Sequence, residues 1–333
     1  MNLLETKSLS IGYAQQNAPN KLLQRDISLS IQPGEIISLM GQNGVGKTTF
    51  VKTISGLIPE LGGEVFYQND NLKTLDSNTL AKRLSIVLTE KPYAQNLSVV
   101  ELIAIGRHPY SGWMGTLSKK DQEIIDWAIN ETHINYLANY KLYELSDGQL
   151  QKVMIARALA QETDLIILDE PAAHLDLYNK IEVMMLLRDI ARKGKGILIS
   201  THDMQISTQL SDKLWLFNFN EQVREGTPED LILDGTLERT LYLHGYGYDM
   251  IYGTVNQPIE SPALEVNLMG EEVVVYWTKQ ALKRNGIVVN SDAKIIIKCQ
   301  KGHWSVIQEN HAIDFNSINN LLISLRNFHQ NKD

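Results

Sequence analysis

The sequence contains a single cysteine, Cys299, so no disulfide can form within the chain. Its apolar neighbours at residues 295–297 indicate a buried thiol rather than a reactive one. No run of about eighteen or more apolar residues occurs, which argues against a membrane-spanning helix. The N-terminus also lacks the basic start and apolar stretch of a signal peptide, so we expect a cytoplasmic chain.

Positive charge is not in excess either. The 31 lysine and arginine residues are outnumbered by 39 aspartate and glutamate residues, and the formal net charge is −8. This balance argues against nucleic acid or an anionic membrane surface as the main partner, although docking on a membrane protein remains compatible with it. A length of 333 residues allows one large domain and a smaller one.

One stretch organises the chain: GQNGVGKTT, at residues 41–49, fits the phosphate-binding pattern G-x-x-x-x-G-K-[ST]. The short apolar segment at residues 35–40 predicts a buried strand before it. Residues 49–54 predict the first turns of a helix after it. Strand, glycine loop and helix are the context that the motif requires, although a glycine-rich turn with a chance lysine would also fit the pattern.

The residue types in this loop suit a polyphosphate. Its glycines let the backbone curl, so that successive N–H groups point inward, and the following helix adds its own free N–H groups. Lys47 supplies a mobile cation for the terminal phosphates, and Thr48 supplies a hydroxyl ligand for Mg²⁺. The predicted binding set of the loop is Gly41, Asn43, Gly44, Gly46, Lys47, Thr48 and Thr49.

Two further apolar runs end in polar residues. Residues 165–168 lead into Asp169 and Glu170, which is typical of a buried parallel strand that delivers carboxylates at its C-terminal end. Residues 196–200 lead into Thr201, His202 and Asp203. Ligands of open α/β sheets bind at this end of the strands, so we expect these side chains near the phosphate loop.

The remaining segments place helices and strands around these motifs. Alternating apolar positions in residues 1–31 predict antiparallel strands, and residues 84–89 predict a buried strand. A helix should open at Ser98, where Glu101 completes a capping box. Residues 95–145 therefore predict a helical insert. Tyr13 is either an aromatic residue that caps a core or a platform for a purine, and taken alone the first is favoured.

Five motifs in this order resemble the nucleotide-binding subunit of an ABC transporter, over about residues 2–245. Residues 41–48 resemble the Walker A motif, and LSDGQ at residues 145–149 resembles the signature motif. LIILDEP at residues 165–171 resembles Walker B with its adjoining glutamate. Residues 173–176 resemble the D-loop, and residues 200–203 resemble the switch-histidine loop.

The resemblance implies a P-loop NTPase fold of the α/β class, with an antiparallel β subdomain and a helical insert. It also implies ATP hydrolysis with Mg²⁺. Asp169 would hold Mg²⁺, Glu170 would act as general base on the attacking water, and His202 would contact the γ-phosphate. Tyr13 falls where the family places the aromatic residue that stacks on adenine.

The signature motif implies that two copies of the domain act together. In the family, Ser146 and the residues after it, here Gly148 and Gln149, face the γ-phosphate of ATP bound to the other subunit. Asp176 would help to connect the two sites. We therefore expect a homodimer of ATPase subunits.

The sequence departs from the family pattern at two positions. Glu90 stands where the family has a glutamine that contacts Mg²⁺, and we predict it as a metal ligand. Gln95 is the alternative, although its spacing from the preceding strand fits less well. Asp147 replaces the usual glycine of the signature motif and adds negative charge near a phosphate.

The segments ELIAIGRHPYSGW, SKKDQEIIDWAI and PAAHLDLYNKIEVMMLLRDIA resemble importers of iron-siderophores, haem and cobalamin. This branch implies a separate two-subunit membrane permease, an external substrate-binding protein, and a peripheral location on the cytoplasmic face of the inner membrane. The alternatives are a soluble ABC ATPase of translation or DNA repair and a nucleotide-dependent regulator that does not hydrolyse ATP.

We predict an ATPase domain over residues 1–246 and an accessory α+β domain over residues 247–333. In the latter, short strands are expected near residues 264–266, 273–276, 286–289, 295–298 and 304–307. Apolar residues recur at helical spacing between residues 318 and 328 and predict a terminal helix.

Overall fold

The computed structural model describes residues 1–15, 19–88, 96–111, 116–219, 222–241, 246–249, 253–256, 259, 262, 264–309 and 311–330. The chain divides into two compact units, Met1–Leu243 and His244–Asp333. The domain boundary expected after residue 246 remains a prediction. None of the described helices is long and apolar enough to cross a membrane.

The first unit alternates strands and helices. Its strands are β1 (Leu4–Tyr13), β2 (Lys21–Ile27), β3 (Ser30–Ile31), β4 (Ile36–Gly41), β5 (Gly62–Tyr67), β6 (Asp70–Asn71), β7 (Leu84–Val87), β8 (Leu165–Asp169), β9 (Gly196–Ser200), β10 (Lys213–Phe217) and β11 (Arg224–Gly226). Its helices are α1 (Lys47–Ile54), α2 (Ser77–Ala81), α3 (Val99–Ala104), α4 (Lys119–Glu131), α5 (Asp147–Ala160), α6 (Leu177–Arg192), α7 (Met204–Leu210), α8 (Pro228–Leu233) and α9 (Thr236–Leu241).

A central sheet with strand order β11-β10-β4-β9-β8-β7 carries the site. Every pair in it is parallel except β10 with β11. Successive residues of β8 pack into different apolar clusters on the two faces: Ile166 lies in one with α5 and α6, and Ile167 lies in another with α1. Burial on both faces explains why these strands are continuous apolar runs rather than alternating ones.

The strands of a second sheet come from segments before and after the phosphate loop in the sequence. Its strand order is β2-β1-β5-β6, with β3 also paired to β1, and all of its pairs are antiparallel. The antiparallel strands expected within residues 1–31 are confirmed. Strand β5 was not anticipated, because its glycines and exposed glutamate hide the short alternation of Val65 and Tyr67.

The helical insert has the predicted capping box at Ser98 and a second one at Ser118. Ser98 caps α3 and exchanges hydrogen bonds with Glu101, and Ser118 caps α4 in the same way with Asp121. Short 3₁₀ turns at Ile105–Arg107, Asn135–Leu137 and Leu142–Glu144 connect the elements.

A buried arginine ties the insert together. Arg107 is 2% exposed and donates from Nε to Asp121 Oδ1 at 2.8 Å and from Nη1 to Glu162 Oε2 at 2.8 Å. It also donates to the carbonyl oxygen of Ala160 at 2.7 Å, and its guanidinium stacks on the ring of Tyr110 at 4.1 Å. These bonds join the start of α4 to the end of α5.

The carboxylate partner of this arginine is itself held in the charged form. Hydrogen bonds from the side chain and backbone of Ser118, and then the bond from Arg107, lower the pKa of Asp121 to about 2. Gly106 precedes the arginine where a Cβ atom would clash with the carbonyl oxygen of Arg157. The Gly-Arg pair of this segment therefore has a structural role.

The second unit contains strands β12 (Gly247–Asp249), β13 (Thr254–Asn256), β14 (Leu264–Gly270), β15 (Ile287–Val289), β16 (Ile296–Gln300), β17 (His303–Gln308) and β18 (His311–Phe315). Its helices are α10 (Glu272–Lys283) and α11 (Ile318–Gln330). Strands β15-β14-β16-β17-β18 form one mixed sheet, and Leu282, Leu321 and Leu325 pack with its buried residues. Cys299 is buried there as expected.

The strand predicted at residues 273–276 is wrong, because these residues open α10. The β-branched run Val273-Val274-Val275 favours a strand locally. Over the longer segment, however, the residues that become buried are Thr278, Ala281 and Leu282, which recur at helical spacing. The burial of one helical face outweighs the local preference of the valines.

We expect Arg107→Ala to lower the free energy of unfolding by about 3–5 kcal/mol, because it leaves Asp121 buried without its cationic partner. Chemical denaturation followed by circular dichroism measures the loss. Lys141→Ala is the control: Lys141 meets Glu101 at 3.7 Å on the exposed surface, so its removal should cost less than about 1 kcal/mol. Equal losses in the two variants would contradict the role assigned to Arg107.

Candidate functional site

The glycine loop between β4 and α1 curls as the motif requires. Gly41, Gly44 and Gly46 have φ angles of 148°, 81° and 113°, which disfavour residues with a Cβ atom. At Gly41, a Cβ atom would also clash with the carbonyl oxygen of Phe217 on the neighbouring strand. Helix α1 begins at Lys47, two residues earlier than the sequence predicted, so the lysine and Thr48 lie in its first turn.

A cavity of about 470 Å³ opens over this loop. It is lined by Tyr13, Lys21, Leu23, Asn43, Gly44, Gly46, Lys47, Thr48, Thr49, Asp169, Glu170 and Ser200. Most of the predicted nucleotide-contacting residues thus line one cavity. Sequence reasoning missed Lys21, Leu23 and Ser200, because nothing in a strand pattern shows that these positions face a ligand.

Lys47 is the buried cation of this cavity. It is 8% exposed, and its Nζ donates to the carbonyl oxygens of Gly41 at 2.6 Å and Gln42 at 3.1 Å. Burial lowers its pKa, while the charges of Glu170 and Asp169 oppose that shift. A phosphate here would therefore meet an ammonium group that has already lost much of its hydration.

Two carboxylates reach the same cavity from the end of β8. Parallel pairing sets Asp169 level with Ser200 on β9, so the two strands end at one edge of the sheet. Glu170 follows with a φ angle of 51°, a strained value for a residue with a side chain, and its N–H donates to the carbonyl oxygen of Ser200 at 2.8 Å. This turn aims the glutamate into the cavity.

His202 lies against the glutamate. Its Nδ1 is 2.7 Å from Glu170 Oε1, and the histidine side chain is 68% exposed. Burial raises the pKa of the Glu170 carboxyl, while the contact with His202 and the charge of Lys47 act in the opposite direction. The pKa of the Glu170 carboxyl is therefore closer to neutral pH than that of an exposed glutamate, which suits a general base.

Tyr13 stands at the mouth of the cavity. It is 48% exposed, and its hydroxyl oxygen lies 3.0 Å from Thr49 Oγ1. Lys21 is its partner in the β1–β2 register. On the same strand, Gln24 is buried and its Nε2 donates to the carbonyl oxygens of Asn218 at 2.7 Å and Val45 at 3.2 Å. Gln24 therefore fastens the antiparallel sheet to the phosphate loop.

The signature residues are brought together elsewhere, at the N-terminus of α5. Ser146 caps this helix and exchanges hydrogen bonds with Gln149. Gly148 lies where a Cβ atom would clash with the side chain of Asn179 on α6. None of Ser146, Gly148 and Gln149 is among the described residues that line the cavity. Glu90 and Gln95 lie outside the described residues.

This fold and this cavity define a P-loop nucleoside triphosphatase. Two family profiles match the chain: "ABC transporter" over residues 24–173 and "Iron ABC transporter C-terminal domain" over residues 263–326. An uncharacterized ABC transporter ATP-binding protein of Methanocaldococcus jannaschii is 35% identical over 268 residues, 79% of this chain and 91% of that protein. The iron(3+)-hydroxamate import ATP-binding protein of Bacillus subtilis is 32% identical over 73% of this chain and 89% of its own length.

The solved structures agree. A dimeric bacterial ABC transporter cassette matches with a TM-score of 0.59 and 25% identity, over 68% of this chain and 98% of that one. The chain belongs to the ABC transporter family. It is an ATP-binding subunit of that family, whose members hydrolyse ATP.

We expect Lys47→Ala to remove most of the affinity for ATP, because it deletes the buried cation beside the predicted phosphate position. Equilibrium binding of a fluorescent ATP analogue measures the change. Lys52→Ala, an exposed lysine of the same helix, is the matched control and should bind as the wild type does. Unchanged ATP affinity in Lys47→Ala would contradict the assignment of this cavity as the nucleotide site.

Proposed function

We propose that the chain is the ATP-hydrolysing subunit of an importer that takes up an iron-siderophore or a related haem- or cobalamin-type substrate. Transport would run through a separate two-subunit membrane permease supplied by an external substrate-binding protein. The observation that carries this proposal is the match of the second unit to an iron ABC transporter C-terminal domain. Import relatives that match over the first unit support it.

In the proposed reaction, Glu170 takes the proton of the attacking water. The strained turn after β8 and the bond to His202 hold its carboxylate at the edge of the cavity where the γ-phosphate would lie. His202 would contact that phosphate with its remaining ring nitrogen. Lys47 and the N–H groups of the loop would stabilise the charge on the transferred phosphoryl group. Tyr13 would stack on the adenine ring.

The donor set also fits Mg²⁺. The Thr48 hydroxyl and the Asp169 carboxylate line the same cavity, and oxygen donors are the ligands that this ion prefers. The described residues contain no cluster of three or more histidine, cysteine, aspartate or glutamate side chains that would hold a metal alone. Mg²⁺ commonly completes its coordination with phosphate oxygens and water, where it neutralises phosphate charge. Glu90 is proposed as a further ligand.

Two copies would complete each site. The N-terminus of α5, with Ser146, Gly148 and Gln149, is separate from the chain's own cavity, yet the positive dipole end of this helix suits an anion. We propose that it meets the γ-phosphate of ATP bound to a second copy. Asp176, which caps α6 and accepts a hydrogen bond from the N–H of Asn179 at 2.8 Å, would lie between the two sites.

A groove on the same unit is the proposed docking site of the permease. It has a volume of about 420 Å³ and lies between the end of α1, the strand β7 and the Ile105–Arg107 turn. Leu57 and Ile105 line it and are 59% and 50% exposed. A segment of the permease that docks there would touch β7, which precedes Glu90 in the sequence. The groove thus supports a route from the nucleotide to the membrane partner.

The alternatives considered from the sequence are not favoured. A soluble ABC ATPase of translation or DNA repair would not account for the match of the second unit to an iron transporter domain. A regulator that does not hydrolyse ATP would not need a glutamate in contact with a histidine at the cavity, as Glu170 and His202 are.

We expect Glu170→Gln to bind ATP but to stop turnover and to accumulate as an ATP-bound dimer, because the amide keeps the shape and loses the base. Phosphate release and size-exclusion chromatography in ATP measure both effects. Glu229→Gln removes an exposed carboxylate in the first turn of α8 and should hydrolyse ATP normally. Wild-type turnover in Glu170→Gln would show that this residue is not the base.

Deletion of the gene should abolish uptake of radioactive iron bound to a siderophore, and the wild-type gene should restore it. Lys47→Ala should fail to restore uptake although the protein is present. Parallel uptake of haem and of cobalamin decides which substrate class is carried. Normal uptake of all three substrates in the deletion strain would overturn the import function while leaving the ATPase assignment intact.

A further inference from the structure

The hydroxyl group of Tyr13 reaches the end of the phosphate loop. Its oxygen lies 3.0 Å from Oγ1 of Thr49, which is in the first turn of α1. Tyr13 is 48% exposed whereas Thr49 is 4% exposed, so the bond links the mouth of the cavity to a buried position beside it. Both residues line the cavity. Stacking on a base needs only an aromatic ring, and this hydroxyl contact is additional to it.

The backbone that carries Tyr13 is fixed by the neighbouring strand. Tyr13 is the last residue of β1 and pairs with Lys21 on β2. Directly before it, a Cβ atom at Gly12 would lie 2.1 Å from the carbonyl oxygen of Lys21, so this close approach of the two strands requires a glycine. The tyrosine thus projects from a strand end that is held in place.

The hydroxyl group of Thr49 does not bond back along its own helix. Threonine hydroxyls within helices can bond to the carbonyl oxygen four residues earlier. Thr53 does so in the same helix, to the carbonyl oxygen of Thr49 at 2.9 Å. For Thr49 the corresponding carbonyl oxygen is that of Val45, which accepts a bond from Gln24 at 3.2 Å. Thr49 bonds to Tyr13 instead, so its hydroxyl is available at a residue that lines the cavity.

The two hydroxyl groups can act in series on a phosphate in one direction only. A hydroxyl group has one hydrogen to donate and two lone pairs with which to accept. A phosphate oxygen only accepts, so a Thr49 hydroxyl that binds phosphate must donate its hydrogen to it. Tyr13 must then donate to the Thr49 oxygen. In such a chain each bond polarises the next and strengthens it.

We propose that Tyr13 is a positioning residue for the phosphates of the nucleotide: its hydroxyl donates to Thr49 Oγ1, which in turn donates to a phosphate oxygen. The proposal rests on the proposed function, because it needs ATP in this cavity. It assigns the ring of Tyr13 to the base and the hydroxyl of the same side chain to the phosphates. A base that holds the ring in place would therefore also orient the hydroxyl of Thr49.

Removal of the tyrosine hydroxyl tests this relay. We expect Tyr13→Phe to weaken ATP binding about tenfold, because the ring stays and one bond of a charge-assisted chain is lost. Inorganic tripolyphosphate, which has no base to stack, should lose about as much affinity in competition with a fluorescent ATP analogue. Tyr140→Phe is the matched control. Tyr140 is 49% exposed and is not among the described residues that line the cavity, so this variant should bind both ligands as the wild type does.

A double-mutant cycle separates the relay from a merely structural role. Thr49→Val removes the second hydroxyl and keeps the branched shape of the side chain. In this background Tyr13→Phe should cost no further affinity for ATP, since the chain is already broken. In the Thr49→Ser background, where a hydroxyl remains, Tyr13→Phe should still weaken ATP binding about tenfold. Thermal unfolding checks that each variant is folded, and equal losses in the two backgrounds would contradict the relay.

Three other results would also overturn the relay. Tighter ATP binding by Tyr13→Phe would show that the tyrosine hydroxyl competes with the nucleotide for Thr49. A loss for ATP without a loss for tripolyphosphate would assign the hydroxyl to the base or the ribose. Unchanged binding of both ligands would leave a role for the ring alone. In each case the nucleotide site stands as long as Lys47→Ala loses ATP affinity, whereas wild-type affinity in Lys47→Ala would overturn the site as well.

Discussion

The burial of the Lys47 ammonium group is the constraint around which the first unit is built. A buried cation is costly unless carbonyl oxygens and opposite charges surround it. The loop supplies the carbonyl oxygens of Gly41 and Gln42, and the end of β8 supplies Asp169 and Glu170. The parallel register of the central sheet brings these groups to one edge, beside the lysine.

The same constraint explains the strain after β8. Glu170 adopts a left-handed backbone conformation that costs about 1–3 kcal/mol, and the surrounding hydrogen bonds hold it there. An extended backbone would continue the strand and carry the carboxylate past the cavity. Burial then raises the pKa of Glu170, and the contact with His202 limits that shift. The same turn thus sets both the position and the pKa of the carboxylate.

The sequence predicted the parts of the fold that depend on local patterns. Buried parallel strands appear as apolar runs, and Ser98 marks a helix start because Glu101 stands three residues on. The phosphate loop was equally clear, since glycine spacing controls its backbone. The ABC family and its import relatives agree with the resemblance seen in the motifs.

What could not be predicted depends on contacts distant in sequence. Lys21 reaches the cavity only because β2 pairs with β1 opposite Tyr13, and Gln24 holds the loop from a strand that precedes it. The valines that open α10 illustrate the reverse case, in which a local strand preference yields to burial of a helix face. The internal pairing of Arg107 was likewise hidden, because its hydrogen-bond partners lie in two segments that are distant from it in sequence.

The cavity over the phosphate loop and the N-terminus of α5 are separate in the first unit, and this separation is the basis of the proposed two-copy arrangement. Lys47 and the loop would bind phosphate in the cavity, whereas Ser146, Gly148 and Gln149 at the N-terminus of α5 are not among the described residues that line it. In the proposed two-copy arrangement, each nucleotide would lie between the loop of one chain and the N-terminus of α5 of the other. Hydrolysis would then remove the phosphate contact between the two copies and so favour their separation.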